Sequence, residues 1–206
     1  MFRATFALVV ALLLAPAALA SHPSWILDRK ENLDADRAFE RVVASDNADH
    51  ANPRAMIAAV DRCGGRERKY ALAAPGTSIG RDGILGARAL GRPGVLFTMT
   101  YRDKHEIARV VQLRAKRKGA CPTPSLLLNY SSARPPYPPP EGFTIRDAKV
   151  EPGEHSSAYA GPELLLTEEY TSPRMSPIRH LRKTYFRYAA AKRRYVPYDT
   201  QLIPPA

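Results

Sequence analysis

Apolar residues in the first third of the chain recur at helical spacing and predict a short helix over Asp34–Val43. Its acidic residues lie in the first turn, where negative charge suits the positive end of the helix dipole. Phe39, Val42 and Val43 form an apolar stripe along it. We therefore expect this helix to pack the stripe against a core.

A second helix is predicted to begin at Pro53. Asn52 is a favourable N-cap residue, and proline is favourable at the first helical position. Three residues then share one helical face at i, i+4 and i+7, namely Met56, Val60 and Cys63. Gly64 and Gly65 would end the helix. Cys63 is therefore expected at its buried edge.

Further along the chain the apolar period changes to two, which is typical of strands. Val95–Tyr101 alternates, and Ile107–Arg114 would form the return strand of a hairpin. Further strands are predicted at Lys69–Ala73, Ser125–Tyr130, Phe143–Val150, Glu163–Tyr170, Thr184–Tyr188 and Arg194–Tyr198. Together these elements predict an α+β fold, with two short N-terminal helices packed on mainly antiparallel sheet and a β-rich C-terminal half.

Five of the seven residues at positions 134–140 are proline. Proline lacks an amide donor and fixes φ, so this run suits neither a helix nor a central strand. We expect a stiff polyproline II connector over residues 134–142. It would follow an α+β lobe over residues 21–133 and precede a β-rich basic lobe over residues 143–206, either as two domains or as one.

Residues 1–20 have the pattern of a cleavable signal peptide. Arg3 supplies the positive start, Phe6–Leu14 the apolar run, and Ala18-Leu19-Ala20 the small-residue cleavage site. The alternative is an uncleaved membrane anchor, but Pro16 ends the apolar run well short of the roughly 20 residues that span a bilayer. We therefore expect export to the periplasm or the medium, cleavage after Ala20, and no transmembrane span in the mature chain.

The chain has two cysteines, Cys63 and Cys121. In an oxidising compartment a disulfide between them is the expected state. A nucleophilic or metal-binding cysteine is the alternative, but neither cysteine has a second cysteine or a histidine at ligand spacing. The sequence thus predicts one disulfide, with no metal ligand and no cofactor assigned.

Gly76–Gly80 matches the G-x-S-x-G pattern of a hydrolase nucleophile, with Ser78 in the central position. That motif requires a strand, a tight turn and a helix in succession. Pro75 precedes the pattern and glycines follow it, so no helix is expected there. A serine hydrolase is therefore kept only as an alternative, and no catalytic residue is assigned.

Charge is the strongest signal, with 31 Lys and Arg against 20 Asp and Glu. A second basic run covers residues 114–118, and the main one interleaves with aromatic residues near the C-terminus. The candidate binding residues are Arg179, Arg182, Lys183, Tyr185, Arg187, Lys192, Arg193, Arg194 and Tyr195. Strand alternation allows a simpler interpretation, in which much of this set is a solvated sheet face.

These observations favour an exported, non-enzymatic binding protein whose partner is another protein, such as an inhibitor or an immunity-like protein. Arginine and tyrosine are favoured anchors of protein interfaces. The alternative partners are anionic envelope polymers or lipid headgroups, since basic and aromatic groups together also suit polyanions.

Overall fold

The structure is a computed structural model that describes residues 24–34, 38–46, 55–73, 78–79, 84–100, 105–153, 163–172 and 179–204. These residues form twelve strands and one four-residue helix. The expected β-rich character is confirmed, whereas the α+β class is wrong. The predicted signal peptide lies outside the described residues.

The strands form three four-stranded antiparallel sheets, each ordered as the chain runs. The first sheet contains β1 (Ser24–Glu31), β2 (Glu40–Asp46), β3 (Met56–Cys63) and β4 (Arg66–Ala71). The middle sheet contains β5 (Ser78–Ile79), β6 (Val95–Thr100), β7 (Glu106–Arg114) and β8 (Thr123–Ser131), with helix α1 (Ala87–Leu90) between β5 and β6. The third sheet contains β9 (Thr144–Gly153), β10 (Glu163–Thr171), β11 (Arg179–Ala189) and β12 (Arg194–Ile203).

The middle sheet is buried on both faces. Phe97 and Met99 belong to a hydrophobic cluster shared with the first sheet. Leu96 and Val110 point the other way, into a cluster shared with the third sheet. Since successive side chains of a strand face opposite sides, the three sheets form a stack with two cores.

The two predicted helices are wrong, because their segments contain β2 and β3 instead. The residues that pack inward follow a period of two, such as Ile57 and Ala59. By contrast, Met56 and Val60 of the expected helical stripe are only half-buried, and Phe39 is 64% exposed. The helical spacing of Met56, Val60 and Cys63 was a coincidence. Packing between the sheets, and not this spacing, decides which residues of β3 are buried.

The predicted helix end at Gly64-Gly65 is a hairpin turn. These two residues connect β3 to β4, and their φ angles are 63° and 74°. A two-residue hairpin turn of the favoured type needs positive φ at both positions, which glycine adopts at little cost. The same Gly-Gly pair thus serves a different structural purpose from the one predicted.

The strands predicted downstream are present. β6 to β10 begin and end within three residues of their expected bounds, and β11 and β12 form the expected terminal hairpin. Helix α1 lies in the glycine-rich segment after Gly80, where no helix was expected. Within the described ranges, no helix is long and apolar enough to cross a membrane.

Gly64→Val should lower the free energy of unfolding by about 1–2 kcal/mol, because a β-branched side chain disfavours positive φ. A Cβ at this position meets nothing within 4 Å, so the effect is conformational and not steric crowding. Gly64→Asn should lose much less, since asparagine is favoured in such turns. Urea unfolding of both variants tests this, and equal losses would contradict the turn assignment.

Candidate binding cleft at the disulfide-bonded end

The predicted disulfide between Cys63 and Cys121 is confirmed, with Cα atoms 5.5 Å apart. Cys63 ends β3 of the first sheet. Cys121 lies in the loop that connects β7 to β8 of the middle sheet. The bond therefore joins two sheets covalently at one end of the stack.

A cleft of about 750 Å³ lies beside this disulfide and is lined by Cys63 itself. Each sheet reaches it through the link between its third and fourth strands. The β3–β4 turn contributes Gly64, the β7–β8 loop Gly119, and the β11–β12 turn Ala190 and Arg193. The connections between the third and fourth strands of all three sheets therefore lie together at this end of the stack.

The charged lining of this cleft is mainly basic. Four arginines contribute to it, namely Arg62, Arg92, Arg114 and Arg193. Two acidic residues, Asp34 and Asp61, also line it. We call this site the basic cleft.

A second cavity of about 420 Å³ shares Arg114 and Arg193 with the basic cleft and adds Lys116. It is therefore built where the basic run at 114–118 meets the β11–β12 turn. These two basic segments, distant in the sequence, converge at one place in the structure.

Arg92 is held against an aromatic ring at the basic cleft. Its guanidinium carbon lies 3.1 Å from the ring centroid of Tyr188 and 6.0 Å from that of Tyr195. Its buried Nε has no hydrogen-bond partner among the described residues. Stacking of this kind restrains the side chain and presents a fixed positive charge.

The nine candidate binding residues do not form one group. Lys192, Arg193 and Arg194 are exposed at the β11–β12 turn, and of the nine only Arg193 lines the basic cleft. Arg187 is exposed, as strand alternation predicts, and its guanidinium carbon lies 5.4 Å from the Tyr198 ring centroid.

The other candidates lie away from the basic cleft or within the core. Arg179 is exposed at the far end of β11, with its Nε 3.5 Å from a carboxylate oxygen of Glu169. Lys183 is half-buried on the face of β11 opposite to Phe186. Tyr185 and Tyr195 are only 7% and 4% exposed. Arg182 is buried.

Arg182 forms an ion pair inside the protein with Glu168, which is fully buried. The Arg182 Nε–H donates to Oε2 of Glu168 at 2.7 Å. Its two terminal nitrogens donate to the carbonyl oxygens of Tyr137 and Pro138, at 2.7 and 3.0 Å. This side chain therefore holds the proline-rich connector onto the third sheet.

Glu168 also accepts hydrogen bonds from two tyrosine hydroxyls. Tyr130 of the middle sheet donates at 3.0 Å, and Tyr170 donates at 2.8 Å. Burial, together with the neighbouring carboxylate, raises the pKa of both phenols above the ordinary value of 10.0. The phenols stay protonated as donors, so this polar group is satisfied and its role is to hold the fold.

Ser78 lies in β5, which pairs antiparallel with β6. A nucleophile elbow instead places its serine on a turn between a strand and a helix. The glycines of the pattern, Gly76 and Gly80, lie outside the described residues. The strand position of Ser78 therefore differs from that of a nucleophile elbow.

Sequence reasoning missed Arg62, Arg92 and the two aspartates of the basic cleft. No local pattern marks them, because they meet only when three sheets stack. The chain matches no protein-family model, no curated protein and no solved structure. The interpretation of the basic cleft therefore rests on its own geometry and charge.

Arg182→Met should lower the free energy of unfolding by about 3–5 kcal/mol, because it leaves the Glu168 carboxylate buried without its cation. Arg179→Met is the matched control on the same strand. Its exposed ion pair should contribute less than about 1 kcal/mol. Chemical denaturation of both variants tests this. Similar losses in the free energy of unfolding would contradict a larger stabilising contribution from the buried pair.

Replacing both cysteines by alanine should lower the free energy of unfolding by about 4 kcal/mol, because the bond closes a loop between residues 58 positions apart. Reducing the wild-type protein should produce a loss of the same size. Thermal or urea unfolding under oxidising and reducing conditions measures it. Unchanged stability on reduction would contradict a structural role for the bond.

Proposed function

We propose that this is an exported, non-enzymatic binding protein that recognises another protein through the basic cleft, in the manner of an inhibitor or an immunity-like protein. The observation that carries the proposal is the convergence of three sheet ends on one charged cleft beside a disulfide. A rigid β framework suits recognition, since a partner loses little affinity to ordering a preformed site.

Export is part of the proposal. The disulfide is compatible with an oxidising compartment outside the cytoplasm. The signal-peptide pattern at residues 1–20 points the same way. The signal peptide and its cleavage after Ala20 remain predictions that the mature N-terminus would test.

The burial of aromatic residues favours a protein partner over a polyanion such as single-stranded nucleic acid. Binding of unpaired bases depends on exposed aromatic platforms. Here Tyr185 and Tyr195 are almost fully buried, and Tyr188 is covered by the Arg92 guanidinium. Tyr185, Tyr188 and Tyr195 therefore offer little stacking surface to an unpaired base, which argues against single-stranded nucleic acid as the partner.

The mixed charge of the basic cleft also favours a protein partner over a polyanion. Asp34 and Asp61 lie among the arginines of the basic cleft. A protein surface can match both signs at once, and such complementarity gives specificity. A uniformly anionic polymer would meet these two carboxylates as repulsive groups.

The mature oxidised chain, Ser21 to Ala206, should retain one protein from the envelope or culture fluid of the producing cell. Retention should persist at about 0.5 M salt, because close, partly buried ion pairs inside a cleft are screened much less than exposed charges. The double cysteine-to-alanine variant is the control and should retain less, because two walls of the basic cleft are no longer joined.

The readout is a salt-gradient elution followed by identification of the retained material. Broad retention of anionic polymers that fails steeply as salt rises would support the polyanion alternative instead. Retention of no protein at any salt concentration would contradict the proposal.

A further inference from the structure

The basic cleft has an excess of positive charge in a small volume. Together with the adjoining cavity it contains four arginines and Lys116 against Asp34 and Asp61. The formal excess is three positive charges. A concave site with this balance concentrates anionic groups from the surroundings.

The side chains that carry the positive charge of the basic cleft favour carboxylates as its ligands. Four of the five cations are arginines, whose planar guanidinium donates two parallel hydrogen bonds to a carboxylate. Arg92 is already restrained by stacking on Tyr188, so it loses little conformational freedom when it binds.

The shape of the site adds a second restriction. The basic cleft and the adjoining cavity have volumes of about 750 and 420 Å³, enough for a few side chains and not for a large surface. Both contain Arg114 and Arg193, which therefore lie between them. A short segment could place one carboxylate in each.

We infer that the basic cleft binds an acidic segment of the partner protein, whose Asp or Glu carboxylates meet Arg92, Arg114 and Arg193. The inference rests on the proposed function and names the partner's chemistry. Because the carboxylates of Asp34 and Asp61 repel anionic groups, we expect neutral or basic residues between the acidic residues of this segment.

The test uses a fluorescein-labelled ten-residue peptide that alternates glutamate with serine as the probe, called the glutamate peptide, with the same peptide carrying glutamine for glutamate as its neutral match. Fluorescence anisotropy with the oxidised full mature chain should show saturable binding of the glutamate peptide only. Absence of glutamate-peptide binding at low salt would overturn the inference.

The decisive variant is Arg114→Glu with Arg193→Glu. It should weaken glutamate-peptide binding at least about tenfold. This is the loss expected when at least one charge-assisted hydrogen bond is removed. Both side chains are exposed, so the fold should survive, which near-ultraviolet circular dichroism checks. Arg92→Met should weaken binding to a similar extent.

The matched control is Arg146→Glu with Lys149→Glu, which changes the net charge equally at two exposed positions of β9. It should change the affinity by less than about twofold, because screening limits the reach of exposed charges. An equal loss in this control would overturn the inference, since it would show that only total charge matters.

Two further outcomes separate this inference from the proposed function. A ten-nucleotide single-stranded DNA that binds the basic cleft more tightly than the glutamate peptide would assign the cleft to polyanions. A captured protein partner whose binding survives Arg114→Glu with Arg193→Glu would overturn the inference about the cleft and leave protein recognition standing.

Discussion

Burial of the middle sheet on both faces is the constraint on which the rest of the fold depends. A sheet with no solvated face needs apolar residues at consecutive positions, as in Val95, Leu96 and Phe97, all fully buried. A register shift beside Val110 adds one residue to β8, which lets Leu127 and Leu128 both enter the cluster with the third sheet. Charged residues are consequently scarce within the middle sheet, where Arg109 alone lies away from the ends of the described strands.

The same constraint explains which elements could be predicted from the sequence. β6 and β7 have strong apolar runs bounded by polar segments, so the period-two pattern identified them. β3 was mistaken for a helix because Asn52 and Pro53 resemble a helix start and because three residues recur at helical spacing. In the structure Ala58 and Ala59 of this segment are both buried, and its pairing with β2 and β4 outweighs those local signals.

The candidate site was only partly predictable for a related reason. The basic runs at 114–118 and 192–194 are visible in the sequence, but their meeting place depends on how the sheets stack. Alternation predicts that Tyr185 and Arg187 face solvent, which is right for Arg187 and wrong for Tyr185, which is buried. It could not predict that Arg182 would turn inward to Glu168, nor that Arg92 from the segment after α1 would reach Tyr188.

The disulfide also makes the two sides of the basic cleft unequal. It joins the first sheet to the middle sheet, whereas the described contacts that hold the third sheet are non-covalent, among them the stacking of Arg92 on Tyr188 and the hydrogen bond from Tyr130 to Glu168. Two walls of the basic cleft are therefore linked covalently, and the wall with Arg193 is not. Loss of the bond would leave non-covalent packing alone to set the spacing of all three walls.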